Sequence, residues 1–175
     1  MKTSDNIPNI VDVTQKWYQK HRDELLKSRR LVIIGYDNNV GTYMEGTLKL
    51  LESVRYSVCG YELEQFMHGI YHSIWENDYM FYIGAKEGRH YEKMLKMKYY
   101  FDKERHNHNF IFTGDKSQID GKNFVADFVD DDEFSCLEYI VPLYTLVALL
   151  SRDLGINANV PSYPEFHKKM GSYIW

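Results

Sequence analysis

Cysteine is scarce in this chain of 175 residues, which contains only Cys59 and Cys136. Two cysteines do not make the disulfide framework on which small secreted domains depend. Both lie in apolar stretches of the sequence, so we expect them to be buried, free thiols in a reducing compartment.

The chain also lacks a block of basic residues. Lys and Arg total 21 against 25 Asp and Glu, which gives a formal net charge of −4. Proteins that bind nucleic acid neutralise phosphates with basic patches, so nucleic acid is not an expected partner. No apolar run follows the first residues, and the most apolar segment, Ile140 to Leu150, is short for a bilayer and contains Pro142. We therefore expect no signal peptide, no membrane partner and a cytoplasmic location.

Several motifs of cofactor and hydrolase chemistry are missing. The loop from Gly35 to Thr42 has neither the spacing nor the lysine of a Walker A loop, and it is not a Gly-x-Gly-x-x-Gly loop. No Gly-x-Ser-x-Gly elbow occurs. Two histidine pairs have no third ligand at a usual spacing: His68 with His72, and His106 with His108. The sequence predicts no cofactor and no metal, although backbone N–H groups of the Gly35 to Thr42 loop could hold an anion.

The sequence does contain a regular alternation of strands and helices. Short apolar runs predict strands near residues 31–35, 56–60, 79–84, 109–113 and 124–128. Helical patterns separate them, and the acidic residues 130–133 suit the start of the last long helix better than a metal. The pattern predicts an α/β fold of the doubly wound, flavodoxin-like type, a three-layer αβα sandwich with a five-stranded parallel sheet. We expect one domain over residues 1–175, with an N-terminal helix at 9–28, the sheet domain at 31–155 and a tail at 156–175.

The helix predicted after the first strand carries three charged residues in a line. Glu45, Lys49 and Glu52 are spaced i, i+4, i+7 and therefore share one face. The core side of this helix is expected to hold its apolar residues, Leu48, Leu50, Leu51 and Val54. His68 follows further along, and a carboxylate with an imidazole forms an acid/base pair. The alternative is a solvated helix face with one ion pair and an unrelated histidine.

These residues are part of a longer pattern. The segment Glu45-Gly-Thr-Leu-Lys-Leu-Leu-Glu52, with Tyr61-Glu-Leu-Glu-Gln-Phe-Met-His68-Gly69, resembles the second sugar isomerase (SIS) domain of the phosphosugar isomerases. The tail Pro164-Glu-Phe-His-Lys-Lys-Met-Gly171 is similar to the C-terminal segment of that family. The resemblance covers nearly the whole chain and is closest to the fructosamine-6-phosphate deglycases. The family also includes the isomerase part of glucosamine-6-phosphate synthase. The resemblance implies an SIS domain that binds a sugar phosphate.

The resemblance implies a role for each matched residue. Glu52 matches the base that moves a proton between C1 and C2 of the open-chain sugar. His68 matches the residue that opens the ring or acts as general acid, which this family typically delivers across a dimer interface. Lys169 matches the lysine of the tail that closes over the sugar. The remaining candidates are expected to bind substrate: Glu45, Lys49 and Lys168.

Two departures from the family pattern leave two functions open. The family's His-Gly-Pro is here His68-Gly69-Ile70, and the family's Ser/Thr-rich loop that grips the sugar phosphate, normally in a first SIS domain, is absent from this sequence. One hypothesis is the C-terminal half of a phosphosugar isomerase, or of a deglycase that releases an amine from an amino-linked fructose 6-phosphate. The other is a phosphosugar-binding or assembly module without turnover.

Aromatic residues are abundant and point to partners. The chain has 15 Tyr, 9 Phe and 3 Trp, and aromatic side chains are enriched at interfaces. We expect a homo-oligomer, at least a dimer, or pairing with a separate first SIS domain. Glu52 and His68 of two chains should then meet in one cleft at the carboxyl edge of the sheet, and Lys169 should reach it when the tail folds back. The aromatic residues behind this expectation are Trp17, Tyr71, Trp75, Tyr99, Tyr100 and Trp175.

Overall fold

The computed structural model describes residues 3–85, 88–129, 131 and 133–171, so Trp175 and the acidic residues 130 and 132 lie outside the described residues. A sheet of five parallel strands forms its centre: β1 (Arg30–Gly35), β2 (Ser57–Glu62), β3 (Tyr79–Gly84), β4 (His108–Thr113) and β5 (Phe124–Val125). The strand order is β2-β1-β3-β4-β5, the order of flavodoxin-like sheets. The predicted fold class is confirmed.

Helices cover both faces of this sheet. They are α1 (Thr3–Leu25), α2 (Val40–Lys49), α3 (Leu63–Met67), α4 (Arg89–Lys103), α5 (Ser135–Asp153) and α6 (Pro164–Met170). One core cluster joins the sheet to α1, α2 and α5, and a second joins it to α3 and α4. The helices α2 and α3 therefore lie on opposite faces of the sheet.

The residues of β1 explain why its sequence shows no polar alternation. Leu31 and Ile33 belong to the α1, α2 and α5 side, whereas Val32 and Ile34 belong to the α3 and α4 side. All four are at most 2% exposed. A strand covered on both faces has no position for a polar residue, which is why the run is apolar throughout.

The bounds of the N-terminal helix and of the last strand differ most from the sequence prediction. The N-terminal helix, predicted at 9–28, begins at Thr3 and ends at Leu25, so Pro8 lies inside it. Its first turns are anchored by buried Asn6, whose Nδ2 donates to Asp127 O at 2.7 Å and to Glu138 Oε1 at 2.8 Å. These long-range bonds hold a helical start that local sequence signals do not reveal. The last strand, predicted at 124–128, is limited to residues 124–125.

The apolar segment around Pro142 belongs to the last long helix, as the sequence predicted. The helix α5 runs through Pro142 over 19 residues, although proline removes one helical hydrogen bond. By length and composition α5 could cross a membrane, since its mean hydropathy reaches 1.2. More than half of that stretch, 56%, is buried inside the fold. Buried core helices can have the same length and composition.

The sequence predicted that both cysteines are buried, and neither of them is. Cys59 is exposed and Cys136 is partly exposed, and both are free thiols. Cys59 lies on β2, which is an edge strand of the sheet, and its side chain points to the face opposite buried Val58, where it stays exposed. The apolar neighbours of Cys59 in the sequence indicated burial because they did not reveal the edge position.

Candidate functional site

The candidate helix changes its winding where the charged residues lie. After Lys49, α2 continues into a π-helical turn, Leu50–Val54, closed by a bond from Arg55 N to Leu50 O of 2.9 Å. The wider turn leaves Leu50 and Val54 both buried, each 1% exposed, and Glu52 on the outside. Single π-helical turns are rare and often occur at functional sites. No pattern in the sequence predicted this turn.

The buried face of α2 differs from the predicted one. Leu48 and Leu51 are 44% and 43% exposed, so their assignment to the core was wrong, whereas that of Leu50 and Val54 was correct. The face that packs inward begins with Tyr43 and Gly46. A side chain at position 46 would collide with Leu143 of α5, so glycine allows the two helices to pack closely. The leucines indicated the wrong face of α2, because the residue in close contact with α5 is a glycine, Gly46.

The three charged residues do form one group. Lys49 Nζ donates to Glu52 Oε2 at 3.0 Å and lies 3.7 Å from Glu45 Oε1. All three side chains are partly exposed to solvent, and Glu52 is the most exposed. The hydrogen bond from Lys49 to Glu52 raises the pKa of Lys49, and the charge of Glu45 adds to the effect. Lys49 is therefore a fixed cation at neutral pH.

A tyrosine of α5 completes this group, and sequence reasoning missed it. Tyr144 donates its hydroxyl to Glu45 Oε1 at 2.8 Å. The hydrogen bond raises the pKa of Tyr144, so it remains a donor. Because 99 residues separate the pair, only the packing of α2 on α5 could have revealed it.

An open cleft of about 600 Å³ adjoins this group between α2 and α5. At its base, Ser151 Oγ donates to Ser53 O at 3.0 Å, which satisfies a carbonyl of the π-helical turn. The remaining wall is mostly apolar. Its lining comprises Lys49, Ser53, Tyr144, Val147, Ala148, Ser151, Arg152, Ile156 and Ala158.

His68 lies exposed at the end of α3 with a defined orientation. Its Nδ1 is 2.7 Å from Glu64 O. Because a carbonyl oxygen only accepts, Nδ1 carries the proton in the neutral ring, and Nε2 is the nitrogen that can take one up. Glu64 is itself paired with Lys93 of α4. The imidazole is thus oriented by the helix that precedes it.

The structure does not bring Glu52 and His68 of one chain together. Glu52 follows α2, whose neighbours Leu50 and Val54 pack on one face of the sheet. His68 follows Phe66, which packs on the other face. Glu52 also lies shortly before β2, near the amino end of that strand, so its predicted position at the carboxyl edge of the sheet is wrong.

The tail places Lys168 and Lys169 on an exposed helix, α6. Tyr163, Phe166 and Met170 are 78%, 56% and 62% exposed and share one side at about 100° per residue. In the same geometry Lys169 borders this apolar side and Lys168 lies opposite it. Neither lysine contacts the group around Lys49 in the part of the chain that the structure describes.

The loop at the carboxyl end of β1 carries a negative charge. Asp37 lies there, and both of its carboxylate oxygens are 3.2 Å from His90 Nδ1. This loop faces the point where the strand order reverses between β1 and β3, the usual ligand position in doubly wound sheets. A carboxylate at this point repels a phosphate. Within the described residues, no group of three His, Cys, Asp or Glu could hold a metal ion.

Several solved structures of other proteins have the same fold as this chain. A protein from Clostridium difficile 630 described as a phosphosugar isomerase matches with a TM-score of 0.86 and 26% identity, covering 98% of this chain and 48% of that protein. The chain has the fold of the phosphosugar isomerases. A Salmonella typhimurium LT2 protein described as sugar-binding has a TM-score of 0.74 and 28% identity, over 85% of this chain and 44% of that one.

A third neighbour lies further away in sequence. It is the C-terminal domain of glucosamine-fructose-6-phosphate aminotransferase from Francisella tularensis, with a TM-score of 0.71 and 16% identity over 88% of this chain and 44% of that one. The chain thus spans about half the length of these three structures. No protein-family model matches the sequence, and no curated protein matches it.

Proposed function

We propose that this chain is the sugar-phosphate-binding C-terminal half of a phosphosugar isomerase or deglycase acting on an amino-linked fructose 6-phosphate. The fold shared with phosphosugar isomerases supports a sugar-phosphate ligand. The observation that carries the proposal is the pair of Lys49 and Glu52. Lys49 lines an open cleft and orients the carboxylate of Glu52, which remains exposed.

Glu52 acts as the base of this reaction. Lys49 binds its Oε2 at 3.0 Å, which leaves Oε1 to take a proton from one of the two carbons C1 and C2 and return it to the other. Negative charge develops on the sugar oxygen during this transfer. The Lys49 ammonium lies close enough to Glu52 to stabilise that charge. Glu45 and Tyr144 hold the ammonium in place.

His68 is contributed by a second copy of the chain. Its Nε2 serves as the acid for ring opening or for the departing amine, since Nδ1 is engaged by Glu64 O. A second copy is needed because Glu52 and His68 of one chain lie on opposite faces of the sheet. The assembly is therefore at least a dimer.

The tail closes over the bound sugar through α6. Burial of the exposed apolar side formed by Tyr163, Phe166 and Met170 supplies the driving force. Lys169 borders that side and is turned toward the covered surface, while Lys168 remains toward solvent. Lys169 is thus the better candidate for contact with the substrate.

The phosphate group is held by a separate first SIS domain. The loop after β1 presents Asp37 rather than a run of Ser and Thr, and the chain spans about half of the solved structures that it matches. The same observation favours the second candidate function, a phosphosugar-binding or assembly module without turnover, if no such domain is available.

Complementation between two inactive variants tests this proposal. Glu52→Gln and His68→Asn are assayed alone and after mixing, with a separate first SIS domain supplied, on a fructosamine 6-phosphate and on fructose 6-phosphate. Each variant alone should be inactive. In a 1:1 mixture, a symmetric dimer with shared sites should recover about one quarter of wild-type turnover, because half of the dimers hold one intact site of two.

The control is a mixture of each variant with itself, which must remain inactive. Wild-type-like turnover by Glu52→Gln alone would end the catalytic assignment. Inactive wild type that nevertheless binds fructose 6-phosphate in calorimetry would establish the binding module instead.

A further inference from the structure

A second cleft lies away from the proposed site, between α4 and the connection from β4 to β5. Its volume is about 330 Å³, at the lower end of the roughly 300–1,000 Å³ that small-molecule pockets occupy. It shares no residue with the cleft beside Lys49. Its lining is polar: Leu95, Lys98, Tyr99, Asp102, Lys103, Ser117, Gln118, Asp120 and Asn123.

Both carboxylates of this cleft already have partners. Asp102 Oδ2 is 3.1 Å from Lys103 Nζ, and Asp102 Oδ1 is 3.8 Å from Lys122 Nζ. Asp120 Oδ1 accepts from Lys122 N at 2.9 Å and from Asn123 N at 2.8 Å, and its Oδ2 accepts from Asn123 Nδ2 at 3.0 Å. The acidic side chains of the cleft are therefore held by other groups.

Lys98 is the amine of this cleft that has no ion-pair partner among the described residues. Among the residues that the structure describes, no carboxylate lies within ion-pair distance of its ammonium group. The side chain is partly buried. Burial lowers the pKa of Lys98, and this outweighs the opposing effect of Asp102 and Asp120, while Lys122 and Lys103 lower it further. Desolvated lysines of this kind are the ones that act as nucleophiles.

We propose that Lys98 is a nucleophilic amine that takes up small aldehydes from solution as an imine within this cleft. The nitrogen lone pair attacks the carbonyl carbon, and the carbonyl oxygen takes up a proton to give a carbinolamine. The nitrogen then loses a proton to water, and the hydroxyl takes up a second proton from water. The C–O bond breaks, the oxygen leaves as water, and the nitrogen lone pair forms the C=N bond. Loss of the remaining N–H proton to water gives the neutral imine. No oxidant or reductant enters this balance.

Reductive trapping with glycolaldehyde and sodium cyanoborohydride tests the proposal on the full chain. The rate of modification at each lysine is measured by peptide mass spectrometry from pH 7 to pH 10. Lys96 is the internal control, because it lies on the same helix and is exposed. The ratio of the rate at Lys98 to that at Lys96 should exceed one at pH 7, because a lowered pKa increases the neutral, nucleophilic fraction of the amine. The ratio should fall as the pH approaches 10.

Two variants separate a true nucleophile from a merely accessible side chain. Asp102→Asn removes a carboxylate that favours the charged amine, so the preference for Lys98 at pH 7 should increase. Lys98→Arg should abolish labelling at position 98 and leave the rate of labelling at Lys96 unchanged. A rate at Lys98 equal to or below that at Lys96 at pH 7 overturns the proposal, as does a ratio that does not change with pH or in Asp102→Asn.

Discussion

Two clusters of carboxylates and cations lie on the same side of the sheet and differ in how many hydrogen bonds the carboxylate accepts. Asp153, at the end of α5, is 10% exposed and accepts from Arg22 Nε at 2.6 Å, Arg152 Nε at 2.7 Å and the Tyr18 hydroxyl at 3.0 Å. Glu52 is 52% exposed and accepts from Lys49 alone among the described residues. The first carboxylate joins helices, whereas the second keeps an oxygen for a ligand.

The electrostatic consequences follow the same division. Hydrogen bonds from Arg152 and Arg22 hold the pKa of Asp153 well below its usual range, and burial raises the pKa of its partner Tyr18. The bond from Arg22 requires the folded arrangement of α1 against α5, so the lowered pKa of Asp153 contributes to stability above the pKa of the unfolded chain. The exposed pair of Lys49 and Glu52 is screened by solvent and contributes little to the fold.

The largest expected effect separates the two clusters by activity. Glu52→Gln should lower turnover by about 10²–10⁴-fold, the usual contribution of a general base, and should change the free energy of unfolding by no more than about 0.5 kcal/mol. Asp153→Asn is the matched control, because it makes the same change of carboxylate to amide, and its turnover per folded molecule should be that of wild type. Steady-state rates and urea unfolding of both variants give the comparison. Equal losses of activity in the two would contradict it.

The second-largest expected effect is on stability, and it comes from Asp153 rather than from Glu52. Asp153→Asn should lower the free energy of unfolding by about 1–3 kcal/mol, because hydrogen bonds to a charged group contribute more than neutral ones and the two arginines lose their counter-ion. Arg22 lies on α1, so the loss should be accompanied by faster hydrogen exchange along that helix. Urea unfolding measures the first change and amide exchange the second. An unchanged midpoint would show that Asp153 is dispensable for the contact between the helices.

The fold was largely predictable because strands covered on both faces have an unmistakable sequence. The apolar run that forms β1 and the separation of the strands by helical segments led to the correct sheet. The start of α1 was not predictable, because Asn6 is held by partners more than 100 residues away. The exposure of Cys59 was missed for the related reason that sequence does not show which strand lies at an edge.

The candidate site was predictable in its charges and not in its surroundings. The spacing of Glu45, Lys49 and Glu52 correctly indicated contact, since helical neighbours at i+3 and i+4 meet. Tyr144 and the π-helical turn depend on how α5 packs on α2, and Leu48 is exposed for the same reason. That Glu52 and His68 lie on opposite faces follows from the path of the chain through the sheet, which local periodicity does not contain.

The pH dependence of stability should also distinguish the clusters. The folded-state pKa of Asp153 is depressed relative to the unfolded chain, where it is about 3.9. Its contribution is therefore fully present above about pH 5 and is lost as the pH falls below about 4 toward the folded-state pKa. Wild type should lose stability over this window more steeply than Asp153→Asn, and the two curves should converge in acid. Parallel curves would assign the acid sensitivity to other carboxylates.

The smallest expected effect concerns the cations. Lys49→Met removes the ammonium from an exposed group and should change the free energy of unfolding by at most about 0.5 kcal/mol, whereas Arg22→Met should cost more because it leaves Asp153 with one fewer partner at a mostly buried position. Lys49→Met should nevertheless raise KM or lower kcat, since the charge faces the cleft. Urea unfolding at low and high salt measures the stabilities, and salt should affect neither by much. If Lys49→Met destabilises the chain as much as Arg22→Met, the Lys49 cluster is a structural ion pair, and the division between the two clusters fails.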